Sequence, residues 1–328
     1  MNQLLHQVHN GIKEAGFFLD NYIAVNKNIS TIYPEDKLAE MNVFDAGLVK
    51  LWKFMLENYS LNMVTIVLPF TVLFLNYFFV CGFMFLIEQA DFSFLRKYKI
   101  QAKKYNSASK VFWASLYLLY VYFVIILPMY TAAFYVLSQV DYFSLDLLDI
   151  PNWKTLAWQT LAFLFFEDLG HYVLHRWMHT PWAYKTIHYK HHEFDAPSSL
   201  ATSYAHPVEV VIQGIATFLG PVIVRPHILT LFIWVNIRQL AACETHSGYD
   251  FPFSPNNILP FCGGADLHDF HHRTYNGAYS SNFIWWDVLL GTDNGYFAWK
   301  KKQQAKRARG EAINVDDSED NQQTKKTK

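Results

Sequence analysis

Two long stretches without a charged residue, Leu61 to Ile87 and Val111 to Val140, dominate the chain. At a rise of about 1.5 Å per residue, each exceeds the roughly 20 residues needed to cross a hydrocarbon core, so both predict transmembrane helices. Each starts far from the N-terminus and lacks a basic start and a small-residue cleavage site, which excludes a signal peptide. Three shorter apolar runs follow, at Thr155 to Phe166, Val210 to Val224 and His227 to Ile237. The first predicts a helix that leaves the membrane and turns polar at Glu167 and Asp168. The other two are joined by the breakers Gly220, Pro221, Arg225 and Pro226, and predict a membrane hairpin over 207–243.

Loop charge orients these elements, because basic residues beside membrane segments favour the cytosol. Arg96, Lys97, Lys99, Lys103, Lys104 and Lys110 lie between the two long spans, whereas Asp141, Asp146 and Asp149 follow the second. The predicted organisation is a luminal segment 1–60, spans with a basic cytosolic loop over 61–151, a cytosolic catalytic domain over 152–299 and a polar cytosolic tail over 300–328. The sequons at Asn28 and Asn58 would then face the lumen. The tail opens on a basic run and has almost nothing apolar to bury, which predicts disorder. It ends Lys325-Lys326-Thr327-Lys328, matching a dilysine signal for return to the endoplasmic reticulum.

Composition agrees with the pattern: 52% of residues are apolar and only 17% charged, against about 25% charged in a soluble domain. Twenty-seven basic and 28 acidic residues leave a net charge of −1, with no electrostatic footprint for nucleic acid. Cys81, Cys243 and Cys262 stand far apart without a CxxC, which excludes a disulfide framework and a thiolate zinc site.

The chemistry therefore rests on histidine. Twelve of the 14 histidines fall between His171 and His272. His171, His175 and His179 recur every four residues and predict one helical stripe ending before Pro181. His188, His191 and His192, and again His268, His271 and His272, are spaced i, i+3, i+4 and predict one helical face each, able to converge on an ion. A tetrahedral zinc takes three or four protein ligands, so this many histidines imply two metals. Glu167, Glu209, Glu244 and Asp269 lie beside histidines and are candidates to accept their second N–H. Imidazole alone does not separate iron from zinc, which leaves an iron oxygenase, a membrane zinc hydrolase and a metal transporter open.

HRWMH, HYKHH and HDFHH, in that order after paired hydrophobic spans, resemble the histidine boxes of the membrane fatty acid hydroxylase/sterol desaturase superfamily. EDLGHYVLHRWMH, HHEFDAP, YAHPVE, ETHSGYDFP and WWDVLLGTD are similar to strings of the C-4 methylsterol oxidases. The third box departs from the animal pattern at Leu267, where another histidine often stands. The resemblance implies an all-α integral membrane protein whose transmembrane helices carry a cytosolic, histidine-rich cap around a dimetal site. It implies two iron ions held by His175, His179, His188, His191, His192, His246, His268, His271 and His272, with His171 and His206 as further ligands or supporting donors. The implied reaction uses O2 at a diiron centre to hydroxylate a sterol or another lipid, most similarly the 4-methyl group of a 4-methylsterol. Other lipid hydroxylases and desaturases of the superfamily, including enzymes like cholesterol 25-hydroxylase, share the histidine set. No glycine-rich dinucleotide fingerprint or CxxCH occurs, so electrons come from outside. The resemblance implies cytochrome b5 and its NAD(P)H reductase as donors and the endoplasmic reticulum membrane as location.

Overall fold

The structure is a computed structural model and describes residues 32–309. Asn28, most of the predicted N-terminal segment and the C-terminal dilysine lie outside the described residues. Among the described residues the chain is helical, and strand pairing is limited to isolated bridges. The longer helices are α1 Val43–Asn58, α2 Met63–Ala90, α3 Ala108–Ser138, α4 Trp153–Met178, α5 Pro207–Val224, α6 Ile228–Thr245, α7 Ala265–Thr274 and α8 Tyr296–Ala308. Three of them, α2, α3 and α5, are long and apolar enough to span a membrane. The first two coincide with the uncharged runs, and the chain is a membrane protein. On α2, Val72, Leu75, Phe79, Phe83 and Leu86 form an exposed apolar stripe at helical spacing, a surface suited to lipid.

The helices divide between two compact units. Among the described residues the first comprises 32–76, Tyr122–Phe163 and Gly220–Ile237. Asn42 caps α1 by accepting from the Asp45 amide at 2.9 Å, and Asp45 in turn accepts from the Trp153 amide at 2.8 Å. Trp52 is fully buried, with its indole N–H on the Leu145 carbonyl at 2.9 Å. Prolines within α2 and α3 follow π-helical turns at Met63–Val67 and Val121–Ile126. Pro69 cannot donate to Thr65, four residues back, and the freed Thr65 carbonyl instead accepts the Tyr130 hydroxyl at 2.7 Å.

The expected breaker cluster divides differently from the sequence reading. Gly220 and Pro221 lie inside α5, and the chain turns only at Arg225-Pro226. Gly220 serves close helix packing: a Cβ there would stand 2.7 Å from the Phe163 Cα on α4.

Among the described residues the second unit comprises Tyr77–Val121, Leu164–Leu219 and 238–309. Gly170 on α4 faces Ala216 on α5, where a Cβ would approach to 3.4 Å. Asp168, on the same helix, receives the Asn282 and Phe283 amides at 2.7 and 3.0 Å and the Trp285 indole at 3.1 Å. Ile100, Leu267, Phe270, Ile284, Tyr296 and Trp299 form an apolar core beneath α7. The basic run after Lys300, expected to be disordered, is helical as far as Ala308. Its register explains this, since Tyr296, Trp299 and Gln303 turn one buried face inward while the lysines remain outside.

Gly220→Val should lower the thermal midpoint of the detergent-solubilised protein, at a cost of about 1–3 kcal/mol, because the α4 backbone blocks the new side chain. Gly82→Ala on α2, whose added Cβ meets nothing within 4 Å, should leave the midpoint unchanged or raise it. Equal behaviour of the two variants would contradict close packing at Gly220.

Candidate metal centre

Nine histidines from four segments gather into two groups. His175, His179, His188, His192 and His271 form the first, and His191, His246, His268 and His272 the second; within each, one ring nitrogen per residue lies within 4.8 Å of all the others. These are the nine residues singled out in the sequence. The first pair comes from the end of α4, the next three from a 3-10 turn at His188–Glu193, His246 from the end of α6, and the last three from α7.

The second group shows the geometry most plainly. Its Nε2 atoms close a four-membered ring, with His246 to His191 at 3.3 Å, His191 to His272 at 3.1 Å, His272 to His268 at 3.0 Å and His268 to His246 at 2.8 Å. A square with such sides has its centre about 2.2 Å from each corner, close to the roughly 2.0–2.1 Å of a metal–imidazole bond. His246 directs Nδ1 at the Ala242 carbonyl at 2.8 Å, which fixes the proton there and turns the Nε2 lone pair inward. Lone pairs facing one another at these distances repel unless a cation lies between them, and this donor set therefore fits a metal ion.

In the first group, His188 Nε2 lies 3.2 Å from His175 Nε2 and 3.1 Å from His192 Nε2. The Nε2 atoms of His179 and His271 are buried without a hydrogen-bond partner, which suits them to ligate a cation. Four of the five rings are held from behind. His175, His179 and His271 donate Nδ1–H to the carbonyls of Tyr279, Tyr275 and Gly277 at 2.8, 3.1 and 2.7 Å. His188 donates to Glu209 at 2.7 Å, so Glu209 is the one carboxylate of the four flagged in the sequence that holds a grouped histidine. Glu167 instead takes Arg238 at 2.7 Å, Glu244 takes Ser254 at 2.6 Å and Asp269 takes Gln101 at 3.0 Å.

The second and third boxes do not each converge on one ion, contrary to the reading from spacing. His188 and His192 join the first group while His191 joins the second; on α7, His271 joins the first group while His268 and His272 join the second. The second box is 3-10 rather than α-helical, with about three residues per turn. His188 and His191 consequently stack, their rings 5.3 Å apart and inclined at 23°. On α7 the i, i+4 pair shares one group and the intervening histidine is rotated towards the other. Each box thus ties the two groups together. His171 and His206 lie outside both: His171 stands 3.8 Å from Glu167, and His206 Nδ1 accepts the Val208 amide at the start of α5.

Desolvation holds His191, His192, His268, His271 and His272 well below the ordinary imidazole range and lowers His246 to about 4. The rings are therefore neutral at physiological pH, the form that ligates metals. The carbonyls at Tyr275, Gly277 and Tyr279 were invisible to motif reading, since a backbone acceptor has no residue signature; only the glycine hinted at them.

A membrane protein with nine converging histidines is a candidate dimetal enzyme. The fatty acid hydroxylase family profile matches residues 160–292, which contain both groups. The chain is 39% identical over 248 residues to methylsterol monooxygenase 2-2 of Arabidopsis thaliana, spanning 75% of this chain and 91% of that protein. It is 35% identical over 298 residues to methylsterol monooxygenase 1 of Rattus norvegicus, spanning 89% and 96% respectively. It is also 36% identical over 267 residues to very-long-chain aldehyde decarbonylase GL1-8 of Oryza sativa subsp. indica, spanning 80% and 98%. No solved structure matches the chain. The chain belongs to the fatty acid hydroxylase family.

Because folding depresses these imidazole pKa values, the metal-free unfolded chain binds protons that the folded chain refuses once pH falls below about 6.5. Stability is then complete above that value and declines beneath it. Chelator-treated protein should melt progressively lower between about pH 7 and pH 5, a range set by the unfolded imidazole value. A constant midpoint would show that the rings are solvated.

Proposed function

We propose that the chain is a membrane methylsterol monooxygenase that oxidises the 4-methyl group of a sterol with O2 at two iron ions. The observation that carries this reading is the pairing of two all-histidine groups with similarity, across most of the chain, to proteins named methylsterol monooxygenase. The first group would hold one iron through His175, His179, His188, His192 and His271, and the second the other through His191, His246, His268 and His272. When bound, the irons supply the dioxygen chemistry that no side chain possesses.

The protein's part is to hold neutral imidazoles in fixed directions. Eight of the nine are buried and His179 is partly so, which limits water around the groups. Nδ1–H bonds to Tyr275, Gly277, Tyr279, Ala242 and Glu209 fix which nitrogen faces inward. Glu209 is the carboxylate that touches a grouped histidine and holds the proton at His188 Nδ1. Electrons come from cytochrome b5 and its reductase, because the chain carries no nucleotide or haem-attachment motif. The location read here is the endoplasmic reticulum membrane with the metal centre on the cytosolic side, supported by the basic residues between α2 and α3.

Expression in yeast lacking its own methylsterol oxidase tests this reading. Lipid analysis should show consumption of accumulated 4-methylsterol, and purified protein should turn over only with cytochrome b5, its reductase and O2. His191→Ala and His272→Ala should lower bound iron and reduce oxidation at least 100-fold, the upper end of roughly 10- to 100-fold losses seen even for supporting residues. Conversion of a long-chain aldehyde with no sterol oxidation would favour the decarbonylase-named relatives instead.

A further inference from the structure

Three grouped histidines depend on one short loop. The carbonyls of Tyr275, Gly277 and Tyr279, alternate residues after α7, accept from His179, His271 and His175. Such a loop is not self-supporting. Tyr275, Gly277 and Ala278 have φ of 58°, 81° and 56°, a left-handed region that residues other than glycine avoid. Something must hold it, and the fully buried Asp287 carboxylate is placed to do so.

Asp287 Oδ1 accepts the Tyr279 amide and Oδ2 the Ser280 amide, each at 2.9 Å. Oδ1 also accepts the Thr292 hydroxyl at 2.7 Å. Thr292 returns to the loop through its carbonyl, which takes the Ala278 amide at 2.7 Å. Since the Thr292 hydroxyl gives its proton to Asp287, it accepts from Tyr172 at 2.9 Å, and the Tyr172 oxygen accepts Arg176 at 3.1 Å. Tyr172 and Arg176 lie on α4, the helix that carries His175 and His179. The carboxylate thus joins the loop to the helix whose histidines that loop orients. Its two oxygens both face N–H donors, a demand that an amide cannot meet, because its NH2 would oppose one of them.

We propose that Asp287 is a positioning residue for the first metal site: it touches no grouped histidine, yet sets the direction of three of the five through the 275–280 loop. The second group takes no hydrogen bond from this loop; His246 is anchored separately on Ala242. The effect is therefore selective for one ion of the two. Gly277 provides an independent handle, because a Cβ there would lie 2.5 Å from the Thr292 carbonyl oxygen, in a backbone conformation that already disfavours a side chain.

The proposal rests on the two-metal reading, and one experiment separates their failures. Wild-type protein, Asp287→Asn and Gly277→Ala are purified in lipid nanodiscs, loaded anaerobically with ferrous iron and titrated with a chelator, and metal per chain is measured. In both variants one ion should be released at roughly 10- to 100-fold lower chelator strength while the other holds as in wild type. The Mössbauer signal of one iron should change and that of the other persist, a split that general loosening of the fold would not produce. If Asp287→Asn does not fold, Gly277→Ala carries the same expectation. Retention of both ions with wild-type affinity, or loss of both in step, would overturn the role of Asp287. Wild-type protein that binds no iron would instead overturn the two-metal reading itself.

Discussion

Neutral imidazoles with lone pairs aimed at one another at 2.8 to 3.3 Å are the constraint on which the rest of this structure depends. Without cations that arrangement is repulsive, and burial removes the water that could relieve it. The surrounding fold keeps the rings from turning away. Three backbone carbonyls and Glu209 hold four rings of the first group, and the Ala242 carbonyl holds one of the second. More rings of the first group are thus held from behind, and the Nδ1 atoms of His192 in that group and of His272 in the second are buried without partners.

The same constraint explains the local irregularities. The histidines of HYKHH, on a 3-10 turn, and those of HDFHH, on the α-helix α7, divide alike, the i, i+4 pair joining one group and the i+3 histidine the other. Tyr275 ends α7 in the left-handed conformation usually left to glycine, and its carbonyl then reaches His179. Close contacts at Gly170 and Gly220 let α4 and α5 pack backbone against backbone, and α4 ends in His175 and His179. Packing of the helices and direction of the rings are parts of one problem.

Much of this was legible in the residues. The two uncharged runs locate α2 and α3 to within a few positions, because the hydrocarbon core imposes a length that composition reveals directly. All nine grouped histidines stand out by spacing and resemblance. What spacing did not reveal was their partition, since at about 100° per residue the i+3 and i+4 side chains of one helical face still diverge enough to serve two groups. Nor did it reveal the supporting carbonyls, which any residue can present. Pro221 read as a breaker because local propensity disfavours it, yet tertiary packing carries α5 through it. The basic run after Lys300 read as solvated because its lysines outnumber the three buried residues that make it a helix.

The most direct test of the two-site arrangement is a metal-loaded structure with anomalous scattering recorded at the metal edge. The account predicts two separate peaks, one among the Nε2 atoms of His175, His179, His188, His192 and His271 and the other among those of His191, His246, His268 and His272. Metal–nitrogen distances should be about 2.0–2.2 Å, the range of imidazole ligation. A single peak shared by both groups, or ions bound through the Nδ1 atoms, would contradict it.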